Sequence, residues 1–180
     1  IDGDSMWRQD SFTTETALFP ISTQNDAATP SPALWEATVT PGETYRVYAS
    51  WQSNVTQLMD NLDNSQFPDK QISPASDAKY TVIDGSKAFD TGQPGPVNQR
   101  EYSGDPSPSY TTVTDDGLAF RLLGEFKFTT ATAKVELSNV ANGHVIAGPL
   151  LIERMSDHTM VRLELTRDPA TFAQTDTTAY

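Results

Sequence analysis

Two histidines and a scatter of acid pairs are the residues with which this chain could do chemistry. His144 follows Asn142-Gly143 at the start of an apolar run, and His158 follows Asp157 in a segment that reads as a turn. Neither has the neighbours of a hydrolytic triad or a zinc site. The acid pairs are Asp2 and Asp4 around Gly3, Asp60 and Asp63, and the adjacent Asp115 and Asp116. Two carboxylates about 5–10 Å apart across a cleft can hydrolyse a glycosidic bond. Nearness in sequence does not supply that geometry. With 24 acidic residues in the chain, solvated loop carboxylates are the simpler expectation. Asp2 and Asp4 form the candidate calcium site, because hard cations take clustered oxygen ligands. No other cofactor is expected. Trp7, Phe67, Tyr102 and Tyr110, in the N-terminal arm or in expected loops, are candidates for stacking on a sugar. The alternative for each is packing against the body of the domain. No glycine-rich phosphate loop, nucleophile elbow or HExxH motif is present.

The composition narrows the partners. The 180 residues carry 24 acids against 12 bases, a formal charge of −12. A field of that sign repels phosphate backbones and anionic bilayers, so neither nucleic acid nor a membrane surface is an expected partner. No run approaches the roughly 18 apolar residues of a membrane helix, so no membrane insertion is expected. The absence of cysteine excludes disulfides, thiolate nucleophiles and cysteine metal sites. The chain begins at Ile1 rather than Met and is rich in Thr, Ser, Asn and Asp. That reads as a processed, exported protein, extracellular or at a cell surface. Asn54-Val55-Thr56 is a glycosylation sequon.

The elements that must position these residues are strands. Apolar residues alternate in short runs between turn residues, which is an all-β pattern. Strands are expected near 34–39, 44–51, 79–84, 97–100, 119–128, 132–138, 144–153 and 158–166. In "YRVYASW" Tyr45, Val47, Ala49 and Trp51 share one face, and Arg46, Tyr48 and Ser50 the other. The first set reads as one wall of a core. Trp35, Tyr80, Phe126, Phe128, Val145 and Leu163 are expected to join Tyr45, Val47 and Trp51 there. In "HTMVRLELT" Val161 and Leu163 alternate with Met160 and Arg162, as in a half-buried strand. Asp84-Gly85 and Asn142-Gly143 read as hairpin turns. Residues 20–33, 52–76 and 101–117 read as long loops, a length that is often functional. One domain is expected.

The order of short motifs resembles a known family. Trp35, "VTPGETYRVYASW", "DAKYTVIDG" at 77–85, "VNQ" at 97–99, "LLGEFKF" at 122–128 and "VELSNVANGHVIA" at 135–147 follow one another as in the golvesin C-terminal-like, or golvesin/Xly carbohydrate-binding-like, domain. The resemblance covers about residues 1–155 and leaves 156–180 as an extra strand and tail. It implies an antiparallel β-sandwich of jelly-roll or galactose-binding-like type, without catalysis, in a bacterial extracellular protein. Ala147-Gly148-Pro149 departs from the family's Ala-Asp-Ala.

Two functions compete on this reading. One is a structural or adhesive building block that assembles with copies of itself into a filament or surface layer by strand or arm exchange. Residues 1–19 are then the candidate arm, with Ile1, Trp7, Phe12, Leu18 and Phe19 as anchors. Pairing of that segment within its own sandwich is the alternative. The other function is a carbohydrate-binding accessory module whose partner is a polysaccharide. An enzyme stands third.

Overall fold

The computed structural model describes residues 7–10, 19–22, 32–51, 74–89, 95–101, 103–104 and 111–163, with side chains from residue 32 onward. All eleven described elements are strands. In chain order they are β1 (Trp7–Asp10), β2 (Phe19–Ser22), β3 (Ala33–Thr38), β4 (Thr44–Ala49), β5 (Tyr80–Asp84), β6 (Lys87–Ala88), β7 (Thr112–Asp115), β8 (Leu118–Lys127), β9 (Thr132–Leu137), β10 (Leu150–Arg154) and β11 (Met160–Leu163).

Strands β1 and β2 pair with each other, Trp7 opposite Ser22 and Asp10 opposite Phe19. The rest form two antiparallel sheets. The five-stranded sheet runs β11-β10-β4-β8-β7 and the four-stranded sheet β3-β9-β5-β6. Their inner faces share one core, so the protein is an all-β sandwich.

The alternation of β4 explains its central place. Tyr45, Val47, Ala49 and Trp51 point into the core, where they meet Phe126 and Phe128 from the β8 side and Leu150 and Ile152 from β10. Trp35, Val82, Val135 and Leu137 close it from the four-stranded sheet. Each large side chain buried in this way contributes roughly 1.5–3 kcal/mol by area. Phe89 adds edge-on ring contacts to Phe126 and Phe128, with centroids 5.1 and 5.2 Å away. Leu123 is the extra residue of a β-bulge: Val47 faces Gly124 and Tyr48 faces Leu122.

Several polar groups inside the body are paired, although the buried Trp35 indole N–H has no partner among the described residues. Gln99 is fully buried; its amide donates to the Ile146 carbonyl (2.8 Å) and to the Tyr80 hydroxyl (3.3 Å), and it accepts from the Ile146 N–H (2.8 Å). The Trp51 indole donates to the Glu101 carbonyl at 2.7 Å, and the Arg121 guanidinium lies 5.0 Å from its ring centre. Asp84, at the end of β5, grips the β8–β9 connection. It accepts from the N–H and hydroxyl of Thr129 (2.8 and 2.5 Å) and of Thr130 (2.9 and 2.6 Å).

Several expected elements differ. The loop expected over 101–117 contains β7, joined to β8 by a two-residue hairpin turn. There Asp116 and Gly117 both have positive φ, 47° and 76°. Val97 makes only an isolated bridge to Ala78, and residues 99–100 form a turn rather than a strand. The strand expected over 144–153 begins at Leu150. Pro149, which has no N–H to donate, precedes it, and His144 forms an isolated bridge with Pro74. Asn142-Gly143 is not a hairpin turn. The Asn142 side chain instead ties Ser76, and its N–H donates to Asp77 Oδ1 at 2.7 Å. Asp84-Gly85 does turn a hairpin, into β6, with Gly85 at φ 63°.

Candidate functional site

The feature with most to offer chemically is the outer face of the five-stranded sheet and the edge where it ends. Residues of β4, β10 and β11 that point away from the core come into register there: Tyr48 opposite Leu151, Arg46 opposite Glu153, and Glu153 in turn opposite Met160. Phe120, Tyr48 and Leu151 form a second apolar cluster, each almost fully buried, with Val113, Leu118 and Leu122 around them. Beside it lies a buried carboxylate, Glu153. The Tyr48 hydroxyl donates to its Oε2 at 2.8 Å, and His158 Nδ1 stands 2.7 Å from its Oε1. Arg46 approaches Oε2 to 3.9 Å while donating to Glu125 at 2.8 Å.

The electrostatics define what this cluster can do. The bond from His158 holds the Glu153 carboxyl below its ordinary value; burial opposes this, and Tyr48 and Arg46 support it. Burial, with the neighbouring carboxylate, pushes the Tyr48 hydroxyl up to about 12. At neutral pH Glu153 is therefore an ionised acceptor and Tyr48 a donor. Both oxygens of Glu153 are engaged. Such an arrangement positions structure: it ties β4 and β10 to the turn that carries His158, itself at φ 58°. Arg154 and Asp157 pair within that same turn, which holds the Asp157 carboxyl low. The turn sets where β11 begins.

Among the described strands, β11 is the end of its sheet and β3 is the end of the other. The two come together on one flank of the sandwich. The exposed large apolar residues among those described are Leu34, Met160 and Val161, 37%, 45% and 51% exposed, all on these two strands. The expectation that Val161 faces inward with Leu163 needs correction. Its parity is right, since it lies opposite the buried Ile152, but at the end of the described sheet its side chain is half exposed. Leu163 is half-buried against the margin of the core. The opposite ends are blunter. β6 is two residues long and carries Lys87, and β7 alternates exposed Thr112 and Thr114. Short, charged or polar edges resist pairing with another chain.

The other expected core residues, Trp35, Tyr45, Val47, Trp51, Tyr80, Phe126, Phe128 and Val145, are all buried together. Trp7 and Phe19 are the first residues of β1 and β2. Asp2, Asp4, Ile1, Phe12, Leu18, Phe67, Tyr102 and Tyr110 lie outside the described residues. Among the described residues, no cluster of three or more His, Asp or Glu side chains is arranged to hold a metal. No described helix is long and apolar enough to cross a membrane. The Glu153 cluster escaped sequence reasoning because its members come from β4, β10 and the following turn, and Tyr48 and Glu153 stand 105 positions apart. The available signal was Glu153 closing the apolar run "GPLLIE". The chain matches no protein-family model, no curated protein and no solved structure.

Proposed function

We propose that this protein is a non-catalytic, extracellular β-sandwich that serves as a structural or adhesive building block by associating through a sheet edge. The golvesin-like resemblance and a jelly-roll or galactose-binding-like form of the sandwich belong to the same proposal. The observation that carries it is the asymmetry of the two flanks. One ends in β6 and β7, whose exposed residues include Lys87, Thr112 and Thr114; the other, β3 with β11, carries the exposed Leu34, Met160 and Val161. An apolar sheet edge is a template for adding a strand from another chain. The non-catalytic reading is supported by the state of Glu153, the most buried carboxylate among the described residues, whose two oxygens are held by Tyr48 and His158.

Sedimentation velocity across a concentration series tests this. The wild-type chain is expected to sediment faster as concentration rises, and Val161→Lys to remain at the monomer value. A wild-type monomer at every concentration would overturn the proposal.

A further inference from the structure

We infer that the Asp116-Gly117 turn is a site of spontaneous covalent modification, at which the peptide link moves from the main-chain carbonyl of Asp116 to its side-chain carboxyl and leaves isoaspartate. The inference stands apart from the edge-association reading above.

The reaction needs only water. The Gly117 nitrogen adds to Asp116 Cγ, and the side-chain hydroxyl leaves with the amide proton as water, closing a five-membered succinimide. Water then opens the ring. If the bond from nitrogen to the main-chain carbonyl breaks, isoaspartate forms; if the bond to Cγ breaks, aspartate returns. Closure needs an uncrowded nitrogen, which a following glycine supplies. It also needs a carboxyl free to turn toward that nitrogen and a backbone free to rotate.

The two Asp-Gly dipeptides among the described residues meet these conditions unequally. Asp84 is locked: both its oxygens accept hydrogen bonds from Thr129 and Thr130, and the Gly85 N–H donates to the Thr132 carbonyl at 2.9 Å. Burial pushes the Asp84 carboxyl up, but those four bonds outweigh it and hold the group well below the ordinary range. An ionised carboxylate has no hydroxyl to lose. Asp116 has none of this restraint. Its side chain is 77% exposed, and Arg162 lies 3.8 Å away, beyond hydrogen-bond distance. The hairpin pairs Asp115 with Leu118, which leaves the Gly117 N–H outside the ladder. Nothing lies within 4 Å of a Cβ placed on Gly117, so the turn has room to move. Asp116 sits at φ 47°, a left-handed conformation that an L-residue leaves readily. Asn142-Gly143 could close the same ring with loss of ammonia, but Ser76 holds both ends of its carboxamide, at 2.9 and 2.7 Å.

Isoaspartate adds one main-chain carbon to a two-residue turn whose length sets the pairing of β7 with β8. Among the described strands β7 pairs with β8 alone, so β7 is the element that loosens.

The full-length protein is held at pH 6 and 37 °C, either folded by circular dichroism or unfolded in guanidinium chloride. Isoaspartate is then measured by mass spectrometry in the tryptic peptides 80–87 and 101–121, which carry the two sites separately. In the folded protein it is expected to form at position 116 about tenfold faster than at 84, or more, because giving up even one hydrogen bond to a charged group slows a reaction by that factor. In the unfolded chain the two rates are expected to be comparable. Equal rates at the two sites of the folded protein would overturn the inference. So would a folded protein that forms no isoaspartate at 116 while the unfolded chain does. The same rate ratio in both states would show that flanking sequence, not the turn, sets the reactivity, and would overturn it as well.

Discussion

Asp84 and Thr130 meet twice, the carboxylate accepting both the backbone N–H (2.9 Å) and the hydroxyl (2.6 Å), and Thr129 repeats the pattern on the other carboxylate oxygen. Burial pushes the Asp84 carboxyl up, but the four bonds together outweigh it and hold it well below the ordinary aspartate range. A carboxyl depressed in the folded state contributes stability that is present above its unfolded value, 3.8, and is lost as pH falls through the folded value. Asp84→Ala is expected to cost about 2 kcal/mol at neutral pH. In urea titrations the gap between wild type and variant narrows once pH drops below about 4. A gap that stays constant down to strong acid would show that Asp84 acts by packing alone.

Tyr48 and Glu153 are expected to be coupled. Tyr48→Phe removes a donor from a buried carboxylate and should cost roughly 1.5–3 kcal/mol. The double variant with Glu153→Gln should lose much less than the sum of the singles, since the second change removes the charge that needed the donor. Additive losses in chemical denaturation would argue that the two residues are independent.

Trp51 is fully buried, hydrogen-bonded through its indole and covered by Arg121. Trp51→Ala is expected to cost about 3–5 kcal/mol. A folded variant with an unchanged melting temperature would contradict the core geometry.

The β7–β8 turn gives a test of backbone conformation without packing. Nothing lies within 4 Å of a Cβ added at Gly117, whose φ is 76°. Gly117→Ala should therefore cost roughly 1–2 kcal/mol from the left-handed conformation alone. Asp116→Asn should stay within about 0.5 kcal/mol of wild type, because asparagine tolerates that conformation. Equal stabilities for Gly117→Ala and wild type, by thermal melting, would show that the turn adopts another form.

The core was legible because period-two alternation is a local property. Tyr45, Val47, Ala49 and Trp51 fall on one face by counting, and the structure buries all four. What counting assigns is parity, and parity does not reveal what lies beyond the sheet. Tyr48 is on the face opposite the main core yet almost fully buried, while Val161 has core parity yet stands exposed at an edge. Strand β7 was missed because "TVTD" has little apolar contrast, although Asp116-Gly117 marked the turn that follows it. Gln99 belongs to a motif that was visible, but its partner Ile146 is 47 positions away, so its role became visible only in three dimensions.

The pairing of β4 also has a consequence in time. Its neighbours are β8 and β10, so the strand made early waits for residues 118–127 on one side and 150–154 on the other. At about 5–20 residues per second of synthesis, a gap of this length leaves β4 without its second neighbour for many seconds. Strand β4 is thus a target for chaperones or for premature association until β10 has been made. With so many distant pairings, folding is expected to be slow for a domain of this size.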